Sequence, residues 1–228
     1  MIRNYLTVAW RSLKRNLAFS AINLIGLSVG MATCLLIGLF VIDELSYDRF
    51  HEHADRIYRV VLRGTLNGEQ IREANVMPPV APTLRATFPE VQVVTRLRQG
   101  EPTRFTYGEK TFREEKLLFA DSTVFEVFTL PLLKGDPRTA LARPNTLVIT
   151  PALARKYFGD ADPVGKVLTV KQRQTTYTIT GVLADVPDNS HIHFDLLGSM
   201  ATLPEANETN WLRSNFFTYV LLPDGYDP

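Results

Sequence analysis

Between Leu17 and Ile42 the chain reads LAFSAINLIGLSVGMATCLLIGLFVI, an uncharged run that is apolar or small at nearly every position. At about 1.5 Å rise per residue, a helix of this length exceeds what a hydrocarbon core of about 30 Å requires. Leu, Ile, Phe and Val each favour insertion by roughly 0.3–0.6 kcal/mol at the helix centre, which outweighs Ser20, Asn23 and the glycines. Buried helices of soluble proteins rarely stay uncharged for so long, so the pattern predicts a membrane-spanning helix. A cleaved signal peptide fits poorly: the apolar core is too long, and no small-x-small site ends it before Asp43.

Before the span, Ile2, Leu6, Ala9, Trp10 and Leu13 fall at helical spacing among Arg3, Arg11, Lys14 and Arg15. This fits a helix in the inner membrane interface with Trp10 at headgroup level, and equally a cytoplasmic extension of the spanning helix. After the span the period shortens. Strands are expected at Ile57 to Arg63 and Gln70 to Val76, joined by a turn at Asn67-Gly68. A short amphipathic helix follows from Pro78, Pro79 and Pro82 to Phe88. Further strands are expected at Val91 to Arg98 and Thr103 to Tyr107, the latter pairing with one at Lys110 to Phe119. Asp121 or Ser122 is placed to cap a short helix, TVFEVF. Asn145 to Ile149 reads as a central strand, and Thr150-Pro151 as a helix start, a hydroxyl cap followed by proline where no amide bond is lost. Gly159 stops that helix, and strands are expected at Lys166 to Lys171, Thr175 to Leu183, His193 to Ser199 and Phe216 to Leu222. Short helices among many strands give an α+β fold class for the portion after the span.

The flanks orient the span. The four basic residues before it have no acidic companion, whereas Asp43, Glu44 and Asp48 follow it. Positive flanks stay in the cytoplasm, so residues 1–16 are expected inside or at the inner interface, 17–42 across the membrane, and 43–228 outside. Within the span Gly26, Gly30, Cys34 and Gly38 recur at every fourth position, a small-residue face that lets another helix approach closely.

Composition adds little and excludes more. Of 228 residues, 45% are hydrophobic and 21% charged, a globular profile with room for a core beyond the span. Four of 25 basic residues and none of 24 acidic ones precede Leu17, and the span has none, which leaves the rest at net −3. Nucleic-acid binding normally calls for a concentrated basic face, and no such partner is expected. Cys34 is the only cysteine, so the exported portion has no internal disulfide.

GDADPVGKV resembles a phosphate-binding loop, but that loop has one residue fewer between its glycines, Ser or Thr after its lysine where Val167 stands here, and the opposite order of strand and helix. All four histidines fall in two pairs, His51/His53 and His191/His193, near Asp48, Glu52 and Asp195. On a strand each pair would offer two imidazoles to one metal, whereas in loops their ring nitrogens satisfy local backbone, and the loop reading is preferred. Ser190 beside His191 is adjacency without a nucleophile elbow, and Asn207-Glu208-Thr209 is a three-letter glycosylation match. No catalytic residue, cofactor or metal is therefore expected.

Four ordered blocks carry a family resemblance: NYLTVAWRSLKRN leading into the span, DELSYDRFHEHADRIYRV, LVITPALARKYFGDADPVGKVL and YTITGVLADVPDNSHIHFDLL. Together they resemble the MacB-like, FtsX-related permeases of ABC exporters, from Met1 to about Leu222. The resemblance implies a first membrane helix, a large extracytoplasmic core domain and three later membrane helices. It also implies a subunit without bond chemistry of its own, moved by a separate cytoplasmic ABC ATPase, paired with a second permease copy or half, set in membrane lipid and open to a periplasmic partner. Gly159, Asp162, Pro163, Gly165 and Lys166 match a family block read as a structural turn. Because no later spanning run precedes Pro228, the chain is expected to be the amino-terminal part of a permease, from truncation or a split gene. A free-standing membrane-anchored sensor or scaffold is the alternative.

Overall fold

The computed structural model describes residues 2–66 and 68–226, which fall into two units, Met1–Tyr47 and Asp48–Pro228. The first holds α1 (Ile2–Arg15) and α2 (Leu17–Ser46), separated by Asn16. No residue of α2 is buried, and it is long and apolar enough to cross a membrane. Water would not tolerate so apolar a surface, and lipid would. The helix runs one turn past the apolar stretch, through Asp43 and Glu44, before ending at Ser46. On α1, the Lys14 ammonium lies 5.2 Å from the Trp10 ring.

The second unit contains β1 (Ile57–Val60), β2 (Leu62–Leu66), β3 (Glu69–Glu73), α3 (Val80–Thr87), β4 (Val93–Gln99), β5 (Thr103–Tyr107) and β6 (Lys110–Glu114). It continues with β7 (Leu117–Ala120), α4 (Val124–Val127), β8 (Leu132–Lys134), β9 (Thr146–Ile149) and α5 (Pro151–Phe158). The last strands are β10 (Val167–Val170), β11 (Thr175–Leu183), β12 (Leu196–Ser199) and β13 (Phe217–Leu221).

Eleven strands form one mixed sheet in the order β1-β13-β4-β7-β12-β9-β11-β10-β5-β6, with β8 on β11. The pairs β7–β12 and β9–β11 are parallel. Its central strands, LLFA and TLVI, are buried at every position and apolar at all but Thr146, because both faces are covered. Leu147 and Ile149 pack on one face with Leu153 and Tyr157 of α5. Val148 packs on the other with Val124 and Val127 of α4 and with Phe128. The sequence class α+β is what the chain adopts.

Several expected strands are rearranged. The run Ile57 to Arg63 breaks at Val61: β1 pairs with β13, while β2 leaves the sheet and pairs with β3 alone. Their register, Leu66 opposite Glu69, brackets the expected Asn67-Gly68 turn, although Asn67 itself lies outside the described residues. Lys110 to Phe119 is two strands: β6 pairs with β5, whereas β7 crosses to β4 and β12. The expected cap on α4 is not made. The Asp121 carboxylate instead takes the Arg96 guanidinium through two bonds of 2.9 and 3.0 Å, and Thr123 Oγ1 donates to the Val94 carbonyl. The expected cap on α5 is present, Thr150 Oγ1 accepting from the Leu153 amide. Gly159 follows with a φ of +63°, a left-handed stop that a side chain would disfavour.

Candidate functional site

A strap of six residues, Asp48 to His53, runs from two positions beyond the last residue of α2 to the short 3-10 turn Ala54–Arg56 that leads into β1. Asp48 adopts a left-handed φ of +59°, which aspartate tolerates better than most residues because its short side chain bonds locally. That turn aims the carboxylate at the loop 189–193. Asp48 Oδ1 accepts from the His191 amide at 2.9 Å, Oδ2 meets His191 Nδ1 at 2.7 Å, and the Asp48 amide donates to the Asn189 carbonyl.

A carboxylate only accepts, so His191 Nδ1 carries the proton in this pair. With that proton placed, Nε2 is left to accept from the Tyr219 hydroxyl, 2.8 Å away on β13. Burial pushes the Tyr219 phenol above its ordinary range, and the Arg59 guanidinium opposes that shift only in part. The relay Asp48–His191–Tyr219 thus ends on a buried phenol that keeps its proton, which suits holding a position better than delivering a nucleophile.

Two further bonds fasten the other half of the strap. The Thr129 amide donates to His51 Nδ1 at 3.2 Å, and the Glu52 amide donates to Thr129 Oγ1 at 2.8 Å. His51 is buried, wedged against the rings of Phe50 and Phe128, and its Nε2 has no partner. Burial pulls its pKa below the ordinary histidine value, Asp48 opposes this, and His191 adds to it. The loop 189–193 and the segment after α4 therefore both hold the strap, and β13 backs the first of them through the Tyr219–His191 bond.

The arrangement separates His51 from His53 but leaves His191 and His193 on one cleft. His51 and His191 both lie against the Phe128 ring. His53 lines a cleft of about 250 Å³ with Glu52 and Phe125, and His193 lines another of about 400 Å³ together with His191, Arg59 and Tyr219. Among the described residues no three His, Cys, Asp or Glu side chains gather as metal ligands. Ser190 Oγ bonds locally, to Ile192, rather than to His191. Asn207 to Thr209 is exposed at the end of a 3-10 turn.

The loop GDADPVGKV is tied into the sheet. Gly165 donates to the Ile179 carbonyl, Ile179 donates back to Lys166, and the Asp162 carboxylate takes the Val164 amide and the Lys134 ammonium. These two donors, the amide first, hold the Asp162 carboxyl below the usual carboxylate range. Lys166 lies over the Phe158 and Tyr107 rings at 5.0 and 5.7 Å, away from any phosphate role. On α2, Gly26, Gly30 and Gly38 face open space, and Cys34 is a free, exposed thiol.

Sequence reasoning singled out Asp48, His51 and His191 but not Thr129 or Tyr219. The sequence signal for Tyr219 is its place in the β-prone run FTYVL, which is buried from Thr218 to Leu221.

Known proteins give the same picture. A domain described as part of a permease from Porphyromonas gingivalis is 30% identical with a TM-score of 0.70, covering 78% of this chain and 77% of that one. The periplasmic region of MacB from Actinobacillus actinomycetemcomitans shares the fold at 19% identity and a TM-score of 0.55, covering 75% of this chain and 77% of that one. No match was found among curated protein sequences. The model of the MacB-like periplasmic core domain matches residues 20–228, from within α2 to the last residue, and the chain belongs to that family of ABC transporter permease domains.

Proposed function

We propose that the chain is the amino-terminal part of an ABC exporter permease, in which a separate cytoplasmic ATPase drives α2 and the strap passes that motion to the exported sheet. Residues 1–16 then lie at the inner face, 17–42 span the membrane, and 43–228 form the outer domain. The basic flank before Leu17 and the acidic one after Ile42 support this orientation. The small-residue face at Gly26, Gly30, Cys34 and Gly38 would pack against a neighbouring helix of the permease or of its second copy.

The observation that carries the reading is the Asp48–His191 tie, two positions beyond the last helical residue and bonded through both carboxylate oxygens. A tie so close in sequence to the helix leaves few residues to take up slack, whereas a longer loose linker would absorb the motion. The test is made in membranes holding the intact permease with its ATPase. Asp48→Ala should cut transport several-fold while ATP hydrolysis persists. Transport equal to the parent overturns the role of the strap. A reporter active only outside the cytoplasm, fused at the carboxyl end, should be active, and its silence overturns the orientation.

A further inference from the structure

We propose that His51 makes the strap an acid-released latch, held while the imidazole is neutral and let go when it takes up a proton. The inference concerns the domain alone and stands whether or not the chain transports anything.

The bonding decides which proton matters. Nδ1 of His51 accepts the Thr129 amide, so in the neutral ring the proton sits on Nε2. Protonation adds a hydrogen at Nδ1, where it faces the N–H of Thr129, and the bond becomes a clash of two donors. It also leaves a charge on a ring that is 5% exposed, with Nε2 unpartnered. The segment after α4 presents the Phe128 ring and Thr129, neither of which is an anion. Asp48 on the strap favours the charge, and His191 on the facing loop opposes it.

His191 behaves differently. Its two ring nitrogens face a carboxylate and a phenol oxygen, and among the described residues no backbone amide donates to either. Acid therefore breaks the tie at Thr129, and the strap opens from its His51 end. Because His51 holds its proton less readily in the folded domain than in an unfolded chain, its contribution to stability is complete above the ordinary value of 6.5 and is lost as the pH falls through the lower folded value.

The experiment is hydrogen exchange of the full chain in detergent micelles at about pH 7.5 and about pH 5, both above the range in which carboxylates ordinarily protonate. After correction for intrinsic rates, peptides covering 48–53 and 128–131 should exchange about tenfold faster in acid, with the core strand 146–149 unchanged. His51→Asn, whose amide oxygen replaces Nδ1 as acceptor and does not titrate, should hold its protection at both values. His191→Gln should keep the acid release. Equal protection of the parent at both values, opening of His51→Asn in acid, or loss of the core strand's protection along with the strap overturns the proposal. Should His51→Asn not fold, carbon-labelled histidine NMR of the parent decides. One imidazole staying neutral below 6.5 and titrating as the strap opens supports the latch, and four imidazoles titrating with no change at the strap overturns it.

Discussion

Glu114 shows how much one buried side chain can hold together. Its carboxylate is almost fully buried yet takes the Lys156 ammonium at 2.7 and 3.0 Å and the Tyr157 hydroxyl at 2.7 Å. Burial first, then that hydrogen bond, raises the Tyr157 phenol far above its ordinary range. Removing the acceptor strands a buried phenol and a half-buried ammonium, so Glu114→Ala should cost about 2–3 kcal/mol, read by denaturant unfolding. Asp48 offers a sharper comparison. Asp48→Ala loses both His191 bonds and places alanine at a left-handed φ, an expected cost of about 2–3 kcal/mol. Asp48→Asn keeps one carbonyl acceptor and tolerates that backbone, and should cost less than about 1 kcal/mol. Equal losses for the two would show that the carboxylate geometry is unimportant. None of these partnerships was legible beforehand. Glu114 and Tyr157 are 43 positions apart, Asp48 and His191 are 143 apart, and periodicity carries no information about which distant polar groups will meet.

At the level of elements much more could be read, because local patterns decide elements. Thr103 to Tyr107 and Thr175 to Leu183 are rich in β-branched and aromatic residues and form strands with those bounds. The Thr150-Pro151 start and the Gly159 stop of α5 follow from cap chemistry alone. The failures occurred where tertiary pairing overrides local pattern: Lys110 to Phe119 is continuous in β propensity but must part after Glu114, since β7 is required between β4 and β12. Gly198 marks another place where packing, not turn chemistry, selects the residue. A Cβ there would lie 2.8 Å from two atoms of the Phe119 ring on the paired strand β7, so Gly198→Ala should destabilise the domain by about 1–3 kcal/mol, seen as a lowered Tm. On α2 the expectation is of the opposite kind. The proposed packing face at Gly30 meets nothing within this chain, so Gly30→Leu should leave the outer domain's stability unchanged while weakening association of the span in a membrane two-hybrid assay. Unchanged association would remove Gly30 from the packing face.

For the whole molecule, the question is whether the exported unit yields to load in pieces or as one body. Its two principal cores lie on opposite faces of the same strands: Leu117 and Phe119 face one, Leu118 and Ala120 the other, and Leu196 and Leu197 divide in the same way. Opening either face therefore exposes the back of the other, and the parallel pairs β7–β12 and β9–β11 sit in the middle of the sheet where no edge can fray. Such a unit should unfold in one step, while α2, held by lipid or detergent and without a buried residue of its own, stays helical. Calorimetry of the chain in detergent should then give a single transition whose calorimetric and van't Hoff enthalpies agree, with a specific enthalpy of about 0.7 kcal/mol per residue of the outer unit. Two resolved transitions would mean that the faces of the sheet separate, and the two cores would then be independent despite sharing β7, β9 and β12.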